Sequence, residues 1–236
     1  MSKITYDLAE VYASNFRAKV QLSLSAPINL NPVLLSEGIL TVLRPLADNL
    51  CGLSVMTPDK SRRYILANSK HSMGRLRFTI AHELYHLYYD DNPEPHMCML
   101  NGKKDAREQS ADMFASALLM PREGILANIP EDELRNVTLG TIMRLEQIFM
   151  VSHQAMCIRL KRLRLINETR LQDLLQIPVS KTAQDFGYST NIYDDGDGRK
   201  DAYGDFVAKA KRLFDEEKIS EGHYLELVNL IKDGEN

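Results

Sequence analysis

The chain has 236 residues, 44% hydrophobic and 26% charged, with 29 Lys and Arg against 32 Asp and Glu. That is enough for one substantial core with a small accessory module, and a formal charge of −3 argues against a surface that coats nucleic acid. No apolar run reaches membrane-spanning length and the polar opening from Met1 to Tyr12 lacks the layout of an export signal, so a cytoplasmic location is expected. In chain order, a helix is predicted from Tyr6 to Ala18, and Pro27 and Pro32 bracket a turn. Leu34 to Leu50 reads as a helix interrupted at Pro45 and ending before Gly52. Leu53–Thr57 and Arg63–Asn68 then read as two short strands separated by Pro58-Asp59-Lys60.

The next helix carries His82-Glu83-Leu84-Tyr85-His86. Histidines four residues apart on a helix point the same way, and the glutamate beside the first reaches the space between them. In zinc metallopeptidases that pattern holds a metal with the histidines and handles the proton of a water with the glutamate. The plain alternative is two solvent-facing histidines on an amphipathic helix. Catalytic zinc takes a third protein ligand and keeps a fourth position open. One large peptidase class supplies glycine and a third histidine downstream, but Tyr89 and Asn92 stand in those two places, which excludes it.

Asp90 to Lys104, with Pro93, Pro95 and Gly102, reads as a loop that shapes a cleft. His96 within it is the rival third ligand. Asp105 to Pro121 reads as a second helix, because Ala111, Phe114, Ala115, Leu118 and Leu119 recur at intervals of three and four. Glu108 and Asp112 share one side of it. Glu108 is the best third ligand, and Asp112, one turn on, is placed to accept the second ring N–H of a ligating histidine. Otherwise both simply solvate the helix.

Thr138 to Ile166 reads as two helices joined at Met150-Val151-Ser152, with Ser152 capping the second. That second helix carries Arg159, Lys161, Arg162 and Arg164. A DNA-reading helix is the sharper interpretation. The crowding of Ile158, Leu160, Leu163 and Leu165 favours a packing hairpin with a solvated basic face. From Asn167 to about Lys200 the signal fades, and the run Ser189 to Gly198 has turn composition and reads as a linker or mobile lid. The cluster Asp194, Asp195 and Asp197 there does not match a calcium loop. Asp201 to Ile231 reads as a helical hairpin broken at Lys218-Ile219-Ser220. The cysteines, Cys51, Cys98 and Cys157, are odd in number and scattered, as reduced thiols would be. Cys98 stands near enough to the site in sequence to serve as a stray ligand, although a buried thiol is the plainer reading.

The runs Arg77-Phe78-Thr79-Ile80-Ala81-His82-Glu83-Leu84-Tyr85-His86, Glu108-Gln109-Ser110-Ala111-Asp112-Met113-Phe114-Ala115 and Leu118-Leu119-Met120-Pro121 resemble the ImmA/IrrE-type metallopeptidases. Tyr64–Asn68, strand-like and just upstream, fits as well. Tyr85 departs from the family pattern, where glycine is frequent, and crowds the contact between the two helices. The resemblance implies an α+β, mainly helical fold with a zincin-like core and a small sheet packed on the active-site helices. The expected units are 1–135, the metallopeptidase domain; 136–170, a helix-turn-helix-like hairpin; 171–200, a linker or lid; and 201–236, a C-terminal helical hairpin.

It implies one catalytic zinc on His82, His86 and Glu108, with Glu83 as the proton-transferring residue. Its substrate would be a helix-turn-helix repressor whose cleavage derepresses a phage, mobile element or stress response. Donors for a developing oxyanion are sought among Tyr85, Tyr88, Tyr89 and His96, which the sequence does not rank. Two other readings stand beside this one: a DNA-binding regulator on a zincin scaffold, and a non-cleaving partner of a repressor or toxin–antitoxin pair.

Overall fold

In the computed structural model, which describes residues 3–90, 96–99 and 105–230, the chain opens with helix α1 (Tyr6–Lys19), capped by the Thr5 hydroxyl on the Leu8 amide. Helix α2 (Leu30–Ser36) stops at Gly38, whose φ of +65° suits glycine. Strand β1 (Ile39–Arg44) follows, where the sequence suggested continued helix. The run Ile39-Leu40-Thr41-Val42-Leu43-Arg44 alternates buried and half-buried positions along its length, a period of two that a glycine stop and a following proline make decisive. The two expected strands are β2 (Leu50–Met56), which starts three residues earlier than expected, and β3 (Arg63–Asn68), and they pair antiparallel.

Helix α3 (Met73–Tyr89) carries the two-histidine motif. Strand β4 (His96–Met99) lies within the segment expected to be a loop, and the rest of residues 91–104 falls outside the described residues. Helices α4 (Ala106–Leu119), α5 (Arg122–Leu126), α6 (Leu139–Phe149) and α7 (His153–Arg162) come next. The α6–α7 turn has a left-handed Met150, and the Ser152 hydroxyl accepts from the Ala155 amide.

Residues 171–200 contain more structure than a linker. Helices α8 (Glu168–Leu174) and α9 (Val179–Asp185) occupy the first part. The remainder is tied to the start of α3 by the Gly74 amide on the Ile192 carbonyl at 3.1 Å, and to the turn before α3 by the Gly196 amide on the Lys70 carbonyl at 2.8 Å. The expected C-terminal hairpin is preceded by β5 (Asp201–Tyr203) and consists of α10 (Phe206–Asp215) and α11 (Glu221–Asn229).

The fold is α+β and mainly helical. Among the described residues five strands run β4-β2-β3-β1-β5, with β1 and β3 parallel and the other pairings antiparallel. Helix α3 lies on this sheet, and α4 packs beside α3. Ile39, Leu43 and Ile65 from the sheet, Ile80 and Leu84 from α3, and Phe114 and Leu118 from α4 share one core. The sheet approaches α3 so closely at Gly52 that a Cβ there would meet the Leu66 carbonyl at 2.7 Å and the Thr79 methyl at 2.8 Å. That approach sets the β2 side chains against the motif face of α3.

Candidate metal centre

The motif face of α3 is buried, with His82 at 1% exposure and Glu83 at 0%, so these are not solvent-facing histidines. The His82 and His86 Nε2 atoms lie 3.2 Å apart. Glu108 of α4 brings one carboxylate oxygen to 3.3 Å from His82 Nε2 and the other to 3.1 Å from His86 Nε2. The side chains expected to act together therefore converge from two helices.

The opposite ring nitrogens decide what the facing ones can do. His82 Nδ1 lies 3.0 Å from an Asp112 oxygen, and His86 Nδ1 lies 3.0 Å from an Asp90 oxygen. Asp90 is itself clamped by Arg107 at 2.6 and 2.8 Å. Carboxylates accept, so each Nδ1 donates and each Nε2 presents a lone pair inward. Two lone pairs and a carboxylate this close need positive charge between them, from protons on the imidazoles or from a cation.

The electrostatics agree. Burial opposes a charge on His82, but the Asp112 and Glu108 carboxylates outweigh it and push the imidazole up to about 10. The same histidines overcome burial at Glu108 and hold its carboxyl well below the usual range. The donor spacing also suits a small tetrahedral ion. Ligands about 2.0–2.1 Å from zinc stand about 3.3–3.4 Å from one another, close to the observed separations.

Glu83 sits beside this cluster. Burial raises its carboxyl above the ordinary range, opposed by His82, His86 and a 2.7 Å hydrogen bond from the Ser54 hydroxyl to Oε2. Oε1 is buried without a hydrogen-bond partner among the described residues. A carboxyl biased towards its neutral form, with one oxygen uncommitted, suits proton transfer. Next to it opens a cleft of about 410 Å³ lined by Cys51, Phe78, His82, Cys98, Asp112 and Arg162, among others.

Of the three tyrosines considered as oxyanion donors, Tyr85 is a core residue and Tyr88 and Tyr89 are half-buried against the core. Tyr85 is fully buried, edge-on to His86 and against Phe114, which is how the crowded helix contact is accommodated. The Tyr88 hydroxyl donates to Glu37, and that of Tyr89 donates to the Tyr12 carbonyl. His96 belongs to β4, and its side chain lies outside the described residues. Sequence reasoning missed Asp90 and Ser54. Asp90 carried a signal, since it follows His86 by one helical turn. Ser54 carried none beyond its strand.

The Peptidase_M78 family, described as the IrrE N-terminal-like domain, matches residues 36–161, more than half of the chain. The chain belongs to this family. No curated protein matches it. Among solved structures, a Mycobacterium tuberculosis transcriptional regulator is similar at 21% identity and a TM-score of 0.45, over 67% of this chain and 47% of that one. The IrrE-like chain thus spans about half the length of that structure. Within this Peptidase_M78 member, the matched region takes in every residue of the cluster. No helix among its described residues is long and apolar enough to cross a membrane.

Proposed function

We propose that this peptidase-family member is a zinc-dependent endopeptidase with His82, His86 and Glu108 as metal ligands. The observation that carries the reading is the convergence of two lone-pair imidazole nitrogens and one carboxylate at 3.1–3.3 Å beside a buried, half-committed Glu83. Asp112 and Asp90 orient the two imidazoles. When bound, zinc supplies a Lewis acid that polarises the scissile carbonyl and acidifies a water. Glu83 takes the proton of the attacking water on Oε1 and passes it to the leaving amine, while Ser54 holds Oε2 in place.

Strand β4 is the edge of the sheet and borders the cleft through Cys98 and Met99. An extended substrate segment added along that edge lies over the cluster in fixed register. Family resemblance supports a helix-turn-helix repressor as the substrate, in a cytoplasmic setting. Arg159 and Arg162 of α7 are engaged by the protein itself, which favours a protein partner over duplex DNA.

The test is metal content and cleavage measured together. Wild type carries near-stoichiometric zinc and cuts a repressor substrate. Replacement of His82, His86 or Glu108 by alanine strips the metal, and Glu83→Gln keeps it while losing cleavage. A Glu83→Gln protein that still cleaves, or a Glu108→Ala protein with full zinc affinity, removes the assignment.

A further inference from the structure

We propose that the Cys98 thiol is a fourth donor to the same ion, closing the site, and that Cys51 withdraws it upon oxidation. The inference rests on the reading of His82, His86 and Glu108 as the ion-holding set. Cys98 pairs in register with Gly52 across β2 and β4, and cross-strand partners face the same side of a sheet. For Gly52 that side is α3, as its contact with Thr79 shows. Two residues on, Ser54 reaches Glu83 from the same face. Cys98 therefore points at the motif helix rather than away from it.

Its sulfur and one donor atom from each of His82 and Glu108 all lie within 4.8 Å of one another. Thiolate, imidazole and carboxylate sharing one zinc ion stand about 3.5 Å apart, so a side-chain adjustment on the order of 1 Å brings the sulfur into place. Cys98 is 7% exposed and lines the cleft with His82, in the direction from which a substrate carbonyl must come. Four protein ligands make a closed site, and three leave it open. On ligation the thiol gives its proton to Glu83 Oε1, the buried atom without a partner. That also occupies the base.

Cys51 supplies the release. It falls at an irregularity in the β2–β4 register, between Leu50 and Gly52, and a bulge re-aims the extra residue. Its thiol is hydrogen-bonded to that of Cys98. Hydrogen peroxide takes two electrons from the pair and two protons, one from the Cys51 thiol and one from Glu83, which had received that of Cys98. An S–S bond forms, the O–O bond breaks and two waters leave. With its sulfur bonded to Cys51, Cys98 no longer ligates, the fourth position opens and Glu83 regains its acceptor role.

Cobalt(II) in place of zinc reads this directly, because a thiolate ligand gives a near-ultraviolet charge-transfer band. Reduced wild type shows the band and Cys98→Ser lacks it. Zinc affinity of that variant falls by more than the about 10- to 100-fold that loss of an outer hydrogen-bond partner costs, while its peptidase activity exceeds that of reduced wild type. One equivalent of hydrogen peroxide removes the band from wild type with a mass loss of two hydrogens. Cys51→Ala keeps the band when reduced and never shows that mass loss. Bound cobalt without the band overturns the proposal and leaves the metal site standing. A band that survives disulfide formation overturns the release. A wild-type protein that binds no cobalt removes the metal-site reading itself, and this inference with it.

Discussion

The two imidazoles are oriented by carboxylates from different sources, one from the neighbouring helix and one from the end of their own. Asp112→Asn and Asp90→Asn each keep size but weaken the hydrogen bond that fixes a ring, so each lowers zinc affinity by about 10- to 100-fold. Chelator competition measures this, and an unchanged value for Asp112→Asn returns that residue to solvating its helix. Ser54 acts on the other functional group. Its hydroxyl favours the ionised form of Glu83 against burial. A general base must be ionised to work, so activity falls as pH drops through its pKa. Ser54→Ala raises that pKa further, and the acid limb of kcat/KM moves to higher pH. A limb that stays put or moves down refutes the role. The ligand candidates were legible in the sequence because their spacing lies on single helices. Ser54 was not, because its partnership depends on how β2 docks on α3.

Among elements, α7 departs most from expectation. The helix ends at Arg162, so Arg164 lies beyond it, and the four expected cations do not form one solvated face. Arg159 is 3% exposed, donating to the Met120 carbonyl at 2.9 Å and pairing with Glu10. Arg162 lines the cleft and lies over the Tyr6 ring at 4.1 Å. Lys161 pairs with Glu168 at the surface, and Arg164 is exposed. Substitutions of these four residues are therefore expected to act differently. Arg159→Ala costs about 1.5–3 kcal/mol, the range for charge-assisted hydrogen bonds to buried groups. The double variant Lys161→Ala, Arg164→Ala stays within about 0.5 kcal/mol of wild type, as surface changes do. Arg162→Ala leaves the fold intact and raises KM for a peptide that fills the cleft. Denaturant unfolding and steady-state kinetics give the three answers, and equal destabilisation by all of them contradicts this division. Helical period alone could not reveal it, since a buried arginine on α7 needs the Met120 carbonyl and Glu10, brought in from distant parts of the chain. Strand β5 was hidden for the same reason: its three residues are a strand only because β1 offers an edge.

At the scale of the whole molecule, the question is whether the proposed units 1–135, 136–170, 171–200 and 201–236 behave separately. Bonds join the first unit to the second and to the third: Arg77 of α3 donates to the Met150 carbonyl in the α6–α7 turn at 3.1 Å, and the Gly74 amide to the Ile192 carbonyl at 3.1 Å. A buried pair joins the middle units. His153 Nδ1 lies 2.6 Å from Glu146, and its Nε2 lies 2.9 Å from the Leu174 carbonyl. The Tyr193 hydroxyl donates to the other Glu146 oxygen at 2.7 Å. Both ring nitrogens face acceptors, so the ring is fully satisfied only as an imidazolium. Although Cys157 is close enough to complete a metal-binding group, the ring has no lone pair left to offer.

Burial opposes that charge, but contacts with the Cys157 thiol and the Glu146 carboxylate outweigh it and push His153 up to about 10. A histidine whose folded pKa exceeds its unfolded value of 6.5 binds its proton more tightly when folded. Its contribution is therefore complete below pH 6.5 and is lost as pH rises towards about 10. His153→Gln removes the titration, so the stability gap between wild type and variant is widest at the acid end of that window and closes through it. Glu146→Ala leaves the imidazolium buried without its counter-charge and costs about 3–5 kcal/mol. Denaturant unfolding across the window, followed in α6–α7 and in residues 188–194 at once, gives one shared transition in wild type. A pH-independent gap, or two separate transitions, means that the pair does not bind these units into one cooperative body.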